Sequence, residues 1–491
     1  KMKKINLKNI LKKTFKKKKK TLAKKKVKSI SKKSKSIKSA FHYASGQIKS
    51  IKITDGDLCI PVNQHFGTLV DVLFEPRTFL SDTLTYDITA WSLPYVYGLD
   101  AYAIDKKLDV KIINQSKFPQ KEYTLATNNY GYLSKWGSMN ELQFLAELLK
   151  NKVTVRVAEK AFTHSKINYL PGTLFISPNG NEHLGEKLHQ IVKSAASKHQ
   201  PDLLSIKTGA SSSGIDLGSL NFNVITKPRV GIFAGEGVSS NNFGEIWHFF
   251  EQQIHYPISV FNTYDIKSIP FEKLDVLIFP NGSYGFLKSE IPPNAQVKKE
   301  TGASTLIKPS PPPKLLDWVR NGGQMIVIGS AMEKFVDQKG YGLVRYESET
   351  AKKEGKKIAE KEKLNDRNKK YGDRKRKRLI DSAYGSIVKI EMDNSHPLAF
   401  GYDKTYFNLK LEKKLYPLLA KGWNVGILKD SNSHIAGFMG NRIKKKINNN
   451  LIFGVQDVKK GKIIYFADNP VFRSFWYNGK LLFGNAIFFC N

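Results

Sequence analysis

Four places in this sequence hold residues whose types and spacing could do chemistry. His183-Leu184-Gly185-Glu186 spells His-x-x-Glu. On a helix, the i, i+3 spacing would put the imidazole and the carboxylate on one face, as two ligands of one metal require. His189, His248 and His255 follow downstream. The same stretch, NEHLGEKLHQIV, also reads as the start of a surface helix in which Glu182 and Glu186 suit the N-terminal dipole. The expected role of His183 and Glu186 is therefore structural, with no metal held. Ser330 ends the apolar run QMIVIGS. A serine nucleophile there needs a base to take its proton, and His396 and His434 are the nominal candidates.

The third place is glycine-rich. Gly231, Gly235 and Gly237 in GIFAGEG do not have the spacing of a dinucleotide fingerprint, and no Gly-Lys-Ser/Thr of a P-loop follows. They read as a tight turn from a strand into a helix. The loop Glu236–Asn242 would still stand at a strand's carboxyl end, where open α/β sheets bind ligands. Together with Asn281, Gly282, Ser283 and Tyr284 after the next central strand, it is expected to form a small polar pocket. Its ligand-binding residues would be Glu236, Asn242, Asn281, Ser283 and Tyr284. The fourth place is Asp468-Asn469-Pro470 with Arg473 and Trp476, where Asp468 or Asn469 is expected to cap the last helix.

The elements that must position these residues alternate between strand and helix. Short strands are expected at Ile51–Ile53 and Leu58–Val62, then an amphipathic helix over Phe66–Leu73 with Leu69, Val70, Leu73 and Phe74 on its inner face. From Glu122 the pattern runs strand (YTLAT), helix (Met139–Asn151, with Leu142, Leu145, Leu148 and Leu149 inward), strand (VTVRVAE), strand (TLFISP), helix (His183–His199) and strand (Leu203–Ile206). Such alternation predicts a mainly parallel, covered sheet. A second α/β series starts at Arg229 with VGIFAG, a helix over Phe243–Ile254, ISVFN, DVLIFP, a helix over Leu315–Asn321 and QMIVIGS. Gly322-Gly323 supplies the turn before that last strand. Apolar runs ending in Gly or Pro predict an open, doubly wound sheet. Six β-like segments from SIVKIEM to KIIYFAD follow, and Phe472–Phe489 closes the chain as a helix.

The expected fold class is therefore α/β, with two successive units of mainly parallel sheet, a β-rich C-terminal part and a disordered basic N-terminal tail. The expected domains are a lysine-rich tail over 1–49, a first α/β domain over 50–222 and a second over 223–491 with insertions at 287–313 and 345–378. The first insertion is Pro-rich. The second carries 15 Lys/Arg against 7 Asp/Glu and reads as an exposed charged helix or linker.

Composition limits the function classes. The chain has 491 residues and a net charge of +37, yet residues 1–54 hold 21 lysines and no acid, so 37 − 21 leaves about +16 for the other 437 residues. The basicity belongs largely to the tail, and residues 1–38 are a candidate arm for polyanions or an anionic surface. Two cysteines, Cys59 and Cys490, exclude a disulfide scaffold or a cysteine-rich zinc site. No apolar run reaches 18 residues, so no transmembrane helix is expected, and the basic N-terminus lacks the apolar core of a signal peptide.

Several segments, in order, carry a resemblance: FGTLVDVLFEPRTFLSDTLTYDITAWSLPYVYGLDAYA, RVAEKAFTHSKINYLPGTLFI, KPRVGIFAGEG, HPLAFGYDKTYFNLKL and IIYFADNPVFRSFWYNGKLLFGNAIFF. Over roughly residues 40–491 the chain resembles the C-terminal half of large bacterial zinc carboxypeptidase-like proteins. There a region similar to class I glutamine amidotransferases follows a carboxypeptidase-A-type catalytic domain. The resemblance implies a periplasmic or secreted protein. It also implies a catalytic domain outside this chain, in cis or in trans, that would hold zinc through His-x-x-Glu and a distant His. No cofactor is expected in the chain itself. In this comparison Ser330 occupies the nucleophile elbow where a glutaminase has Cys, and the Gly expected two residues later is absent from Gly329-Ser330-Ala331-Met332. The elbow is expected to be degenerate. The function expected is a non-catalytic accessory region of a metallocarboxypeptidase-like protein. The alternatives are a polyanion-binding module and a weak serine hydrolase at Ser330.

Overall fold

The structure is a computed structural model that describes residues 27–30, 35–54, 57–77, 90–106, 108, 112–115, 120–127, 129–285, 311–345, 370–373, 379–380 and 382–490. Most of the lysine tail and most of both insertions lie outside the described residues. The chain forms two compact units: Lys1–Pro76 with Trp91–Pro94 and Leu99–Lys121, and Arg77–Ala90 with Tyr95–Gly98 and Glu122–Asn491. No helix among the described residues is long and apolar enough to cross a membrane.

The first unit pairs β1 (Val27–Ile30) with β5 (Ile112–Gln115), and packs β3 (Gln47–Ile53), β2 (Lys35–His42) and β4 (Tyr102–Ala103) into a three-stranded antiparallel sheet. The amphipathic helix forms as α1 (Gly67–Leu73), but its expected inner face is not buried: Leu69 is 53% exposed. Leu58–Val62 is not a strand.

The second unit contains two large sheets. The first has the order β11 (Leu203–Ile206), β6 (Gly131–Ser134), β10 (Leu174–Ile176), β7 (Val155–Ala158) and β13 (Phe222–Ile225). Here α2 (Met139–Lys150) follows β6, and α3 (Lys187–His199) precedes β11. Every neighbouring pair is antiparallel, not parallel as the alternation suggested. The reason is topological. β6 and β7, joined through α2, do run in the same direction, but β10 inserts between them in the opposite direction. The result is the split β-α-β-β-α-β arrangement of ferredoxin-like folds, with β13 added at one edge. The segment YTLAT is irregular, and the strand expected there forms at Gly131–Ser134 instead.

Side chains alternate across this sheet as the pleat requires. Leu174 and Ile176 join the main core, whereas Phe175 faces a separate cluster with Leu133, Phe162, Tyr169 and Phe222. That cluster is covered by a small sheet of β8 (Phe162–His164), β9 (Ile167–Tyr169) and β12 (Ser213–Gly214). Helix α2 buries Leu142, Leu145, Leu148 and Leu149 as its periodicity predicts, each worth about 1.5–3 kcal/mol of transfer. Ser138 caps it, its hydroxyl accepting from the Asn140 amide.

The second sheet has ten strands. One half is parallel: β15 (Ile258–Asn262), β14 (Val230–Ala234), β16 (Val276–Phe279), β17 (Gln324–Ile328) and β23 (Gly461–Phe466). The other half is antiparallel: β22 (Asn450–Val458), β20 (Trp423–Leu428), β18 (Ser386–Met392) and β19 (Thr405–Lys410), with β21 (His434–Ala436) on β18. Helices α4 (Ser240–His248), α5 (Pro313–Arg320) and α6 (Asn478–Phe488) belong to this part, as does a short helical turn over Asn441–Lys446. The expected helix after β14 is α-helical only to His248 and continues as a π-helix over Phe249–Gln253. The boundary expected at residue 222 cuts into β13, the edge strand of the first sheet, and one buried apolar cluster runs through both sheets. The fold class is mixed α/β with a β-rich C-terminal part.

Candidate functional site

Counted in chain order, the parallel strands lie 2-1-3-4-5 across the sheet. The direction of winding reverses between β14 and β16, and their carboxyl ends leave a crevice where α/β sheets of this order take ligands. An open cavity of about 500 Å³ occupies that place. It is lined by Gly237, Val238 and Ser239 after β14, by Asn281, Gly282 and Ser283 after β16, by Ser330, Glu333 and Lys334 after β17, and by Lys414.

The two glycine loops lock together. The Ser283 amide donates to the Gly237 carbonyl at 2.6 Å, and Val238 and Gly282 form an isolated antiparallel bridge. A Cβ on Gly282 would collide with the Gly237 carbonyl oxygen, so this approach requires glycine. Ser239 caps α4 at the rim.

Ser330 ties the third loop to the second. Its amide donates to Asn281 Oδ1 at 3.0 Å, and its hydroxyl donates to the same oxygen. The hydroxyl oxygen accepts from the Gly282 amide at 3.2 Å. Asn281 Nδ2 in turn donates to Glu412 at 3.1 Å. Burial, with Asp468 nearby, holds the Glu412 carboxyl above its ordinary range. At the mouth, Lys414 pairs with Glu333, which also accepts from the Tyr416 hydroxyl at 2.8 Å. Two lysines against one glutamate leave the lining with one excess positive charge.

Of the residues singled out from sequence, Gly237, Asn281, Gly282, Ser283 and Ser330 line the cavity; Glu236, Asn242 and Tyr284 do not. The Glu236 carbonyl accepts from the Thr263 hydroxyl at 2.9 Å. Asn242 bonds Ser239 and accepts from Asn469, joining α4 to the loop after β23. Tyr284 is fully buried, its hydroxyl donating to Pro280 at 2.7 Å. Ser239 lies within the expected loop Glu236–Asn242, whereas Glu333, Lys334 and Lys414 were missed. Glu333 and Lys334 sit in the 3-10 turn directly after Ser330, a signal within reach; nothing in the sequence around Lys414 points to β14.

No histidine or cysteine lines the cavity. His396 Nδ1 accepts from the Leu398 amide and His434 Nε2 bonds the Gly437 carbonyl, so neither nominal base is turned to Ser330. The left-handed residue at the elbow is Gly329, with φ 60°, not the serine. The chain turns there into a 3-10 helix, not the long helix that follows a working elbow.

The His183 region differs in detail from expectation. His183 lies in a 3-10 turn over Glu182–Leu184, Gly185 breaks the backbone with φ 50°, and α3 starts only at Lys187, because Glu186 occupies its N-cap position. His183 and Glu186 therefore do not share one continuous helix face. His183 Nε2 bonds the Lys152 carbonyl at 3.0 Å. Among the described residues, no three His, Cys, Asp or Glu side chains are grouped as a metal would need.

Asp468 does not cap the last helix, and neither does Asn469. The Asp468 carboxylate takes Lys410 Nζ, Asn408 Nδ2 and the amides of Leu411 and Glu412. Asn469 Nδ2 reaches Glu245 at 2.5 Å. α6 begins without a side-chain cap.

No protein-family model matches this sequence, and no curated protein matches it. Among solved structures, the chain is similar to a putative ThuA-like protein from Bacteroides uniformis, at 12% identity and a TM-score of 0.27, over 53% of this chain and 89% of that one. It is also similar to a putative GMP synthase component from Thermoplasma acidophilum, at 9% identity and a TM-score of 0.30, over 53% and 92%. An exo-β-1,4-mannosidase from an Opitutaceae bacterium matches at 8% and 0.27, over 62% and 40%. Likenesses at these identities and scores assign no family, and they lend no support to a zinc-carboxypeptidase relationship.

Proposed function

We propose that this chain is an accessory region that carries no peptidase chemistry, and that its switch-point cavity binds a small polar ligand without reacting with it. One observation carries the reading: the Ser330 hydroxyl is engaged by Asn281 and Gly282, and no histidine lines the cavity. A serine held this way clasps two loops and does not attack. The excess positive charge of the lining favours a carboxylate- or phosphate-bearing ligand. Thermal-shift titration with small carboxylates and inorganic phosphate tests this. Stabilisation by at least one of them that is lost in Lys414→Ala supports the reading. No shift with any of them opposes it.

The accessory role rests on the sequence resemblance to zinc carboxypeptidase-like proteins. It requires a zinc-bearing catalytic domain in cis or in trans, which would do the proteolysis. Co-elution of this chain with a carboxypeptidase-A-type domain encoded beside it is the expected result. Independent elution at micromolar concentrations would count against the role. A second reading, polyanion binding through the tail, is favoured by the 21 lysines without an acid in residues 1–54. Steeply salt-dependent binding to heparin that disappears on deleting residues 1–38 is its signature.

A further inference from the structure

The first unit holds a side-chain arrangement that the binding reading does not use. His42 ends β2, Ser45 lies in the turn between β2 and β3, and Asp100 stands just before β4. Ser45 Oγ is 2.8 Å from His42 Nδ1, and His42 Nε2 is 2.9 Å from Asp100 Oδ1. An ionised carboxylate only accepts, so in the neutral ring the proton sits on Nε2 and the Nδ1 lone pair faces the serine hydroxyl. That is the tautomer a general base requires, and Asp100 is the group that selects it.

The backbone holds the three residues in place. The pairing of β2 with β4 sets His42 opposite Tyr102, and the Tyr43 amide donates to the Ala101 carbonyl at 3.1 Å, which brings Asp100 alongside the imidazole. The Gly46 amide closes the turn onto the His42 carbonyl at 2.8 Å, with Gly46 at φ 68°. The Tyr102 ring stacks on the imidazole at 4.6 Å and 18°. The imidazole is thus fixed on a ring face and at both nitrogens, while Ser45 keeps partial access to solvent.

We propose that Ser45 is an activated nucleophile for small, unhindered carboxylic esters, with His42 as its base and Asp100 as a positioning residue. Ser45 Oγ bonds the acyl carbon while its proton passes to Nδ1. The bond to the leaving alkoxide breaks, and Nδ1 returns the proton to it. Water, deprotonated by the same nitrogen, then bonds the acyl carbon; the Oγ–acyl bond breaks, Nδ1 returns the proton to Oγ, and the acyl group leaves as a carboxylic acid. The site shares no residue with the switch-point cavity and lies in the other unit, so either reading can fail while the other stands.

The test treats the full chain with a fluorophosphonate ester and locates the adduct by peptide mass spectrometry. In that reaction the Oγ–P bond forms, the P–F bond breaks, fluoride leaves and Nδ1 takes the proton. One adduct is expected, on Ser45, and it should be absent in Ser45→Ala and in urea. His42→Gln should slow labelling by about 100-fold or more. Asp100→Asn should slow it about tenfold, and Asp100→Glu should recover part of the rate, because a carboxylate there selects the tautomer with its proton on Nε2. The wild-type pH profile is a readout that needs no variant: it should rise through one ionisation and level off. Labelling that is absent, scattered over other serines, indifferent to His42→Gln, or proportional to hydroxide without a plateau would overturn the proposal.

Discussion

Lys410 Nζ lies 3.1 Å from both carboxylate oxygens of Asp468, and the two side chains are 1% and 0% exposed. Asp468 also takes the Leu411 and Glu412 amides, so the ion pair fixes the segment that begins with Glu412 and leads to Lys414 at the cavity mouth. The pair joins β19 to the loop after β23, at the end of the parallel half of the sheet. A buried pair of this kind is costly to break by removing one partner, since the other is left charged and uncompensated.

Asp468→Asn is therefore expected to destabilise the fold by about 3–5 kcal/mol. The double variant Lys410→Met/Asp468→Asn should lose less than the sum of the two single variants, because neither leaves a lone buried charge in the other's presence. Urea unfolding of the four proteins measures the coupling. Additive losses would show that the two side chains do not interact.

Glu245 on α4 makes the second prediction. Burial lifts its carboxyl from an ordinary 4.5 to about 7, although the Arg473 amide, the Arg473 charge and Asn469 oppose the shift. The folded state therefore keeps the proton to higher pH than the unfolded chain. Between about 4.5 and about 7 the folded state binds more protons, so stability falls as pH rises through this window. Glu245→Gln removes that loss. The variant should gain on the wild type by about 1–2 kcal/mol at pH 8 relative to pH 5, a deliberately reduced share of the full shift because the side chain is only partly buried. Urea midpoints at the two pH values measure it, and other titrating groups cancel in the difference between the two proteins.

The sequence displays local order far better than pairing. The leucines of α2 recur at helical spacing and are buried where that spacing puts them, and Gly322, at φ 116°, turns α5 into β17 as the Gly-Gly pair suggests. Nothing local shows that β10 slides between β6 and β7, because the parallel or antiparallel sense of a strand is fixed by partners dozens of residues away. The same limit applies to the cavity. Asn281 and Ser283 were legible as residues at a strand's carboxyl end, whereas Lys414 reaches the site through a segment held by Asp468. Asp468 reads as a helix cap by residue type, and its real partners lie 56–60 positions away. Tyr284 reads as a pocket residue by position, yet its ring fills the core against Phe233 and Phe279.

The cavity itself predicts a sharp effect at Gly282. A methyl group there meets the Gly237 carbonyl, so Gly282→Ala must push the loops after β14 and β16 apart. A cost of about 1–3 kcal/mol is expected, together with loss of the ligand response at the cavity. Ser283→Ala, which keeps the backbone bond to Gly237, should cost under 1 kcal/mol and leave the loops joined. Thermal unfolding of the two variants, with and without the best ligand, separates loop architecture from side-chain contact. Equal behaviour of the two would mean that the loop bridge does not shape the site.

The final prediction concerns His183. Its Nε2 is bonded to the Lys152 carbonyl, so the ring closes the turn after α2 onto the Glu182–Leu184 turn and is not presented as a ligand. Loss of one exposed hydrogen bond costs about 0.5–1.5 kcal/mol. His183→Ala should therefore lower the unfolding midpoint slightly and leave the metal content of the purified chain unchanged. Plasma emission spectrometry of wild type and variant, purified side by side without chelator, is the direct measurement. One equivalent of zinc in the wild type that is lost with His183 would require the Gly185 break to reorganise on binding, so that His183 and Glu186 come onto one face. It would return to this stretch the chemistry that its residue types suggest and its backbone separates.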